Sequence, residues 1–357
     1  MSGLLAVMIL CFLAGLLFLL PLIPAIWEYR NKSDASPLTV VQQHTGEIRF
    51  FADGFRSYLK TLEPILRQSV RSGETTTGTM ADGTEYMVFG RGDSALMLPF
   101  KDQAEGCQAM IAAGTDLMLP SEARFSKDIY TAGRLIGGTQ NRYRAVLAEK
   151  DVHLGRGSTV MRWIHAAGSF IADPGCKLYG RVSSDRGIRL STDCTFLRLN
   201  APRIKTGEGE ITAETSAVQP GNSVENRWNT TRTLQDGDLE IPAGEVVRGS
   251  LVVRGRLQIG AGARVCGSVK SEKEMVLQAG VRVEGSLISA RQMRVGRDCL
   301  IHGPVIAEHT LRVEQGTHCG TSQTPTTVSA PNIEIEPDVV VFGTLWAREQ
   351  GRVVSRT

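Results

Sequence analysis

Gly249, Gly267, Gly285 and Gly303 stand 18 residues apart, and Gly320 falls one residue short of the next step. Three of them open a Gly-Ser-aliphatic triplet (Gly249-Ser250-Leu251, Gly267-Ser268-Val269, Gly285-Ser286-Leu287), and Gly303-Pro304-Val305 is a variant. A fixed period constrains a chain more than any single motif, because one local structure must be copied at every step. Four apolar columns keep the same period. They are Leu257, Met275, Met293, Leu311; Ile259, Leu277, Val295, Val313; Val247, Val265, Val283, Ile301; and Leu251, Val269, Leu287, Val305. Columns two residues apart put side chains on one face of a strand. Steps of about six residues between such pairs divide each coil into three short strands with corners. Helical three- and four-residue steps are absent here. The pattern predicts a mainly β fold, a parallel β-helix with 18 residues per coil.

The period also runs earlier in the chain. Val152, Phe170, Ile188 align, as do Val160, Leu178, Phe196; Val146, Ile164, Val182; and Met118, Ile136, Leu154, Ala172, Leu190. Residues 145–200 therefore form a first block of coils, and 76–144 an irregular, β-leaning segment that includes the first ones. A polar stretch at 201–236 is expected as a loop inserted in the solenoid. A second block follows at 237–349, and a tail at 350–357. Coils stack as parallel strands ~4.8 Å apart, so eight or nine make a rod of ~40 Å. The last coil of a solenoid exposes unpaired N–H and C=O groups. Val340, Phe342, Leu345 and Trp346 are the candidate self-association surface, as apolar residues where the rod is expected to end.

Ahead of the coils lie two further elements. Residues 1–34 contain an unbroken uncharged stretch from Leu4 to Leu20, with Trp27 and Tyr29 beyond Pro21 and Pro24. About 20 apolar residues cross ~30 Å of hydrocarbon as a helix. No basic residue precedes the stretch and no small-residue cleavage site follows, so an uncleaved single-pass anchor fits better than a secretory signal. Arg30 and Lys32 just beyond it place the remaining chain on the cytoplasmic side of the cell membrane. Within 35–75, Ile48, Phe51, Phe55, Tyr58, Leu59, Leu62 and Leu66 recur at helical steps, which predicts a juxtamembrane amphipathic helix ending near Pro64.

Reactive chemistry is sparse. The net charge of +3 advertises neither nucleic acid nor an acidic partner. Seven cysteines form no disulfide framework. Cys176 and Cys194, one period apart, are expected as stacked small side chains. His44, His153, His165, His302, His309 and His318 lack metal-ligand spacing, and His318-Cys319 reads as a solvated pair. Arg91-Gly92-Asp93 and Asn229-Thr230-Thr231 are short enough to arise by chance. No phosphate loop, dinucleotide fingerprint or nucleophile elbow is present, so no catalytic, cofactor or metal site is expected.

The stretch from Leu239 to Gly320 resembles the bactofilins, bacterial polymer-forming cytoskeletal proteins. The resemblance is carried by Leu257-x-Ile259-Gly260-x-Gly262-Ala263-x-Val265-x-Gly267-Ser268-Val269 and its copies at Leu277 to Leu287 and Val295 to Val305. It implies a right-handed β-helix that polymerises end to end without nucleotide, is often membrane-associated, and organises envelope or morphogenesis proteins. The expected function is thus a membrane-anchored, non-enzymatic scaffold whose partners are the membrane and further copies of itself. Two alternatives stay open. A hexapeptide-repeat acyltransferase also has 18 residues per coil, although Ser271-Glu272-Lys273-Glu274 and Ser289-Ala290-Arg291-Gln292 break its third face and His302 alone lies within a regular coil. A periplasmic β-helical carbohydrate binder would need the opposite orientation.

Overall fold

The computed structural model describes residues 50–97, 106–209 and 232–355, with Gly3, Leu5, Val7–Leu10, Leu13, Ala14 and Leu20 from the uncharged stretch. The first eight of those isolated positions are helical and exposed. The expected anchor otherwise lies outside the described residues, among which no helix is long and apolar enough to cross a membrane. From Ile48 onward the chain is one compact unit, and it is a β-solenoid of about 12 turns.

From Leu239 to Cys319 the ladders of the second half follow the period without a slip; the next step lengthens, Val313 pairing with Ile335 and Val305 with Val328. Leu257 pairs with Met275, Met275 with Met293 and Met293 with Leu311, each by parallel strands, and the other three columns stack likewise. Ile259, Leu277 and Val295 are at most 1% exposed. Glycine at the repeating corner is required by close approach. A Cβ on Gly285 would lie 2.6 Å from the backbone of Gly267, and one on Gly303 would lie 2.5 Å from that of Gly285. A second corner does need left-handed backbone: Gly262 and Gly280 have φ of 68° and 72°, and Asp298 takes 55° at the same step. The polar residues of the third face turn inward as corner braces. Ser271 is fully buried; its hydroxyl donates to the Gly255 carbonyl at 2.8 Å and accepts the Lys273 N–H.

In the first half, three of the four predicted columns stack as expected. The fourth does not. Leu154, Ala172 and Leu190 point inward, but Met118 and Ile136 are 39% and 36% exposed. Their strands pair Met118 with Ile136 and Ile136 with His153, one residue short of a full step. A one-residue change of register turns a side chain to the opposite face, and Leu117, Leu119 and Leu135 are buried instead. The segment 76–97 forms no coil. An antiparallel hairpin (Thr76–Thr79 with Glu85–Phe89) lies on the strand Met110–Ala113, and a short 3-10 turn, Ser94–Met97, follows.

The expected helix spans 50–72 as α1 (Phe50–Leu59), a 3-10 turn (Lys60–Leu62) and α2 (Glu63–Ser72). Pro64 begins α2 rather than ending the helix, since a proline in the first turn gives up no intrahelical N–H. Gly73 terminates it with φ of 71°. Ala52, Phe55, Leu59, Leu62 and Leu66 are buried with Val88, Met110, Ala112 and Leu147 on the outer face of the first coils. Phe55 meets Trp163 edge-on at 5.7 Å, and Arg56 forks onto Glu149 at 2.9 and 3.0 Å. The helix lies along the rod, across the strands.

The largest departure from the sequence reading is the path between the blocks. Residues 201–206 belong to the strand Thr195–Thr206, which pairs in parallel with Lys177–Ser184 on one side. On its other side it pairs antiparallel with Val340–Val353, the last strand of the chain: Thr195 faces Arg352, Leu199 faces Leu345 and Lys205 faces Val340. The second block is therefore no continuation of the first. It starts with the strand Arg232–Gln235 at the far end and winds back, so the two blocks meet head to head in a seam. Six strand spacings separate Arg232–Gln235 from the seam, about 29 Å of rod. The second block occupies 232–353, and 350–353 are strand rather than tail.

Candidate interaction edges

A solenoid's coil edges are its reactive feature in the sense that each carries a row of unsatisfied backbone donors and acceptors. Among the described residues there are three places where an edge must be dealt with. At the start of the first block, the strand Met110–Ala113 is covered by the hairpin. Its neighbour Leu117–Leu119 is covered by the 3-10 turn, where Gly92 O accepts the Met118 N–H at 2.9 Å over a fully buried Ala95. That end is capped. At the seam, the edges of the two blocks satisfy each other.

The seam also holds the residues expected to form a self-association surface. Val340 is 4% exposed and Leu345 is fully buried, both within the seam strand. Phe342 is half-buried, and Trp346 is 39% exposed with the Arg198 guanidinium 5.1 Å from its ring. The sequence placed them where the rod ends; they lie in its middle, because the second block runs back toward the first. Asn200 donates to the Thr344 hydroxyl across the junction at 2.9 Å, and the Thr206 hydroxyl donates to Glu336 O and accepts the Val339 N–H.

The third place is open. The first coil of the second block, strands Arg232–Gln235, Leu239–Ile241 and Val246–Arg248, pairs only with the following coil among the described residues. Leu239 N–H and Ile241 C=O point into the chain's own ladder. In a strand, alternate residues bond to opposite sides, so the Glu240 N–H and C=O face outward along the rod axis. Leu234 and Val246 are 54% and 55% exposed there.

His165, Ser183 and Asp185 make a constellation that the sequence reading did not single out, although 165 and 183 are one period apart. The His165 Nδ1 lies 2.9 Å from Ser183 Oγ, and Nε2 lies 3.9 Å from Asp185 Oδ1. His165 and Ser183 are 1% and 2% exposed, so no substrate reaches the hydroxyl, which also bonds to the Ile164 carbonyl. The cluster is a buried polar brace. His302, the histidine an acyltransferase would use, is held by Glu284 at 2.7 Å. His318 is half-buried rather than solvated, and burial with Arg203 pushes it below the usual imidazole range.

A cleft of about 370 Å³ between α1, the hairpin and the coils is lined by Phe55, Tyr58, Met110, Lys127, Asp128 and Arg144. Burial raises the Asp128 carboxyl, and Arg144 at 3.3 Å only partly offsets this. The cleft holds no second carboxylate, thiol or imidazole to work with it. Cys176 and Cys194 are neighbours on successive coils, both fully buried; the Cys194 thiol donates to Asp173 O at 3.3 Å, and the adjacent Cys176 together with burial pushes it up. No cluster of three metal-binding side chains occurs among the described residues. Comparison with family models, with curated proteins and with solved structures gave no match to this chain.

Proposed function

We propose that this protein is a membrane-anchored, non-enzymatic scaffold that associates with a second copy of itself through the open coil edge at 232–248. The observation that supports the reading is the seam. There the chain joins two of its own coil edges head to head by antiparallel pairing of buried strands, which is the geometry a pair of open edges would use. The bactofilin-like Gly-Ser-aliphatic repeats and the uncharged stretch Leu4–Leu20 supply the scaffold class and the anchor. Arg30 and Lys32 favour a body on the cytoplasmic side. Among the described residues one end is capped and one junction is internal, which leaves a single edge to offer. An assembly built this way closes at two copies with isologous symmetry instead of growing into a filament. Envelope or morphogenesis proteins are then recruited by the doubled rod.

The test is the mass of the detergent-solubilised full chain across a concentration series, wild type against Glu240→Pro. Proline removes the outward N–H at 240 and leaves the ladder to the next coil, made by Leu239 N–H and Ile241 C=O, in place. A dimer that Glu240→Pro converts to monomer is the expected result. A monomeric wild type removes the self-association reading, and open-ended filaments remove the closure at two.

A further inference from the structure

One row of outward-facing side chains continues through the seam from one block to the other. In the second block it reads, in strand register, Leu234, Val252, Lys270, Ile288 and Ile306. It passes through Ser329 and Trp346, crosses the seam to Arg198, and reaches Arg181. The next position, Trp163, lies under Phe55 of α1. The helix thus covers this face from Trp163 onward, and nothing among the described residues covers the second-block part. Leu234 is 54% exposed and Trp346 39%, Lys270 and Arg181 are exposed, and Val252, Ile288 and Ile306 are half-buried.

The row carries three cations and no carboxylate. Lys270, Arg181 and Arg198 form no ion pair among the described residues; the contacts of the two arginines are with rings, Phe51 over Arg181 and Trp346 over Arg198, both at 5.1 Å. The Arg198 Nε is buried with no hydrogen-bond partner. Burial and the neighbouring Arg181 also push Arg198 below the usual guanidinium range, as expected for a positive pair that lacks a counter-ion. Beside Arg181 the surface continues with exposed Phe50, Tyr179 and Met161. On one side the row is flanked in the second block by Arg232, Ser250, Ser268 and Ser286, and on the other, at the corner, by Glu272 and the ion pairs Arg254–Asp236 and Arg348–Glu308.

We infer that this long face lies against an anionic bilayer surface, with the aliphatic and aromatic side chains at headgroup depth and Lys270, Arg181 and Arg198 on lipid phosphates or carboxylates. Aromatic and aliphatic residues interleaved with Lys and Arg, without acids, are the composition of an interfacial face. At Arg181 the row meets Phe51 in the first turn of α1, and the uncharged stretch Leu4–Leu20 precedes that helix in the chain. The inference rests on the membrane reading proposed above, and the experiment separates the two.

The full chain, carrying Trp27→Phe and Trp228→Phe, is reconstituted with acyl-brominated phosphatidylcholine, with or without phosphatidylserine. Trp346 reports contact with lipid, and Trp163 under Phe55 serves as the shielded reference. The expected result is quenching of Trp346 only where phosphatidylserine is present, fading as salt is raised. Each cation removed from an anionic surface weakens attraction about fivefold, so Arg181→Glu with Lys270→Glu abolishes the quenching. Ile288→Glu with Ile306→Glu, outward-facing positions whose change leaves the core intact, reduces it by an independent route. Equal Trp346 emission in both lipids, from a chain that resists carbonate extraction, overturns the inference while the anchor stands, and points to a protein partner on this face. Quenching in a chain that carbonate extracts supports the inference and removes the anchor instead.

Discussion

At the scale of single residues, two kinds of glycine do different work. Gly285 exists because the coil beneath leaves no room for a methyl group, whereas a Cβ on Gly54 in α1 would meet nothing within 4 Å. Gly285→Ala is expected to cost about 2–3 kcal/mol through overpacking, and Gly54→Ala to gain about 0.5–1 kcal/mol by restricting the unfolded chain. Thermal unfolding of the two variants checks the contrast in sign. Asp128 gives a pH-dependent case. Its folded pKa is raised, chiefly by burial. Its contribution to stability is therefore present below the ordinary carboxylate range and lost as pH rises through the raised value. Asp128→Asn is expected to melt higher than the parent at neutral pH and to match it near about pH 3; a variant that melts lower at neutral pH would show that Arg144 outweighs desolvation. The 18-residue step made the glycine and aliphatic positions legible, since stacking demands like residue on like. Met118 and Ile136 were misplaced because a single residue lost from one coil is invisible in aliphatic spacing and yet turns both side chains outward.

At the scale of elements, α1 and α2 show what periodicity can and cannot tell. The three- and four-residue spacing of Phe55, Leu59, Leu62 and Leu66 gave the helix and its apolar side. It did not give the surface beneath, which is assembled from Val88, Met110, Ala112, Leu147 and Trp163. Phe55→Ala is expected to destabilise by about 3 kcal/mol. Its signature is local: hydrogen exchange should quicken across 50–72 and in the hairpin while the second block keeps its protection. Uniform loss of protection throughout the rod would mean that the helix is integral to the solenoid and not a cover laid over it. In the sequence the polar segments that begin at Ser271 and Ser289 break the third face of a hexapeptide repeat. In three dimensions each serine replaces a backbone partner at a bend that carries no ladder hydrogen bond of its own, which is why it tolerates complete burial.

At the scale of the whole molecule, the seam decides both stability and assembly. Leu345 is fully buried opposite Leu199, so Leu345→Asp places an unpaired charge between the blocks and should cost several kcal/mol. The expected outcome is uncoupling: one calorimetric transition becomes two, one for each block. A single transition merely shifted to lower temperature would mean that the blocks fold as one unit for reasons other than the seam. By itself the sequence determined the coil, its 18-residue period, most of the inward columns and the amphipathic helix. All of these are set by neighbours a fixed number of residues apart, so the spacing of side chains along the chain records them. The direction of the second block, the burial of Val340 and Leu345 in mid-rod, the cap at one end and, among the described residues, the unpaired edge at the other were decided only by tertiary structure. A coil edge offers the same row of backbone groups to a parallel or an antiparallel partner, and nothing in the period of the side chains says which of the two will arrive.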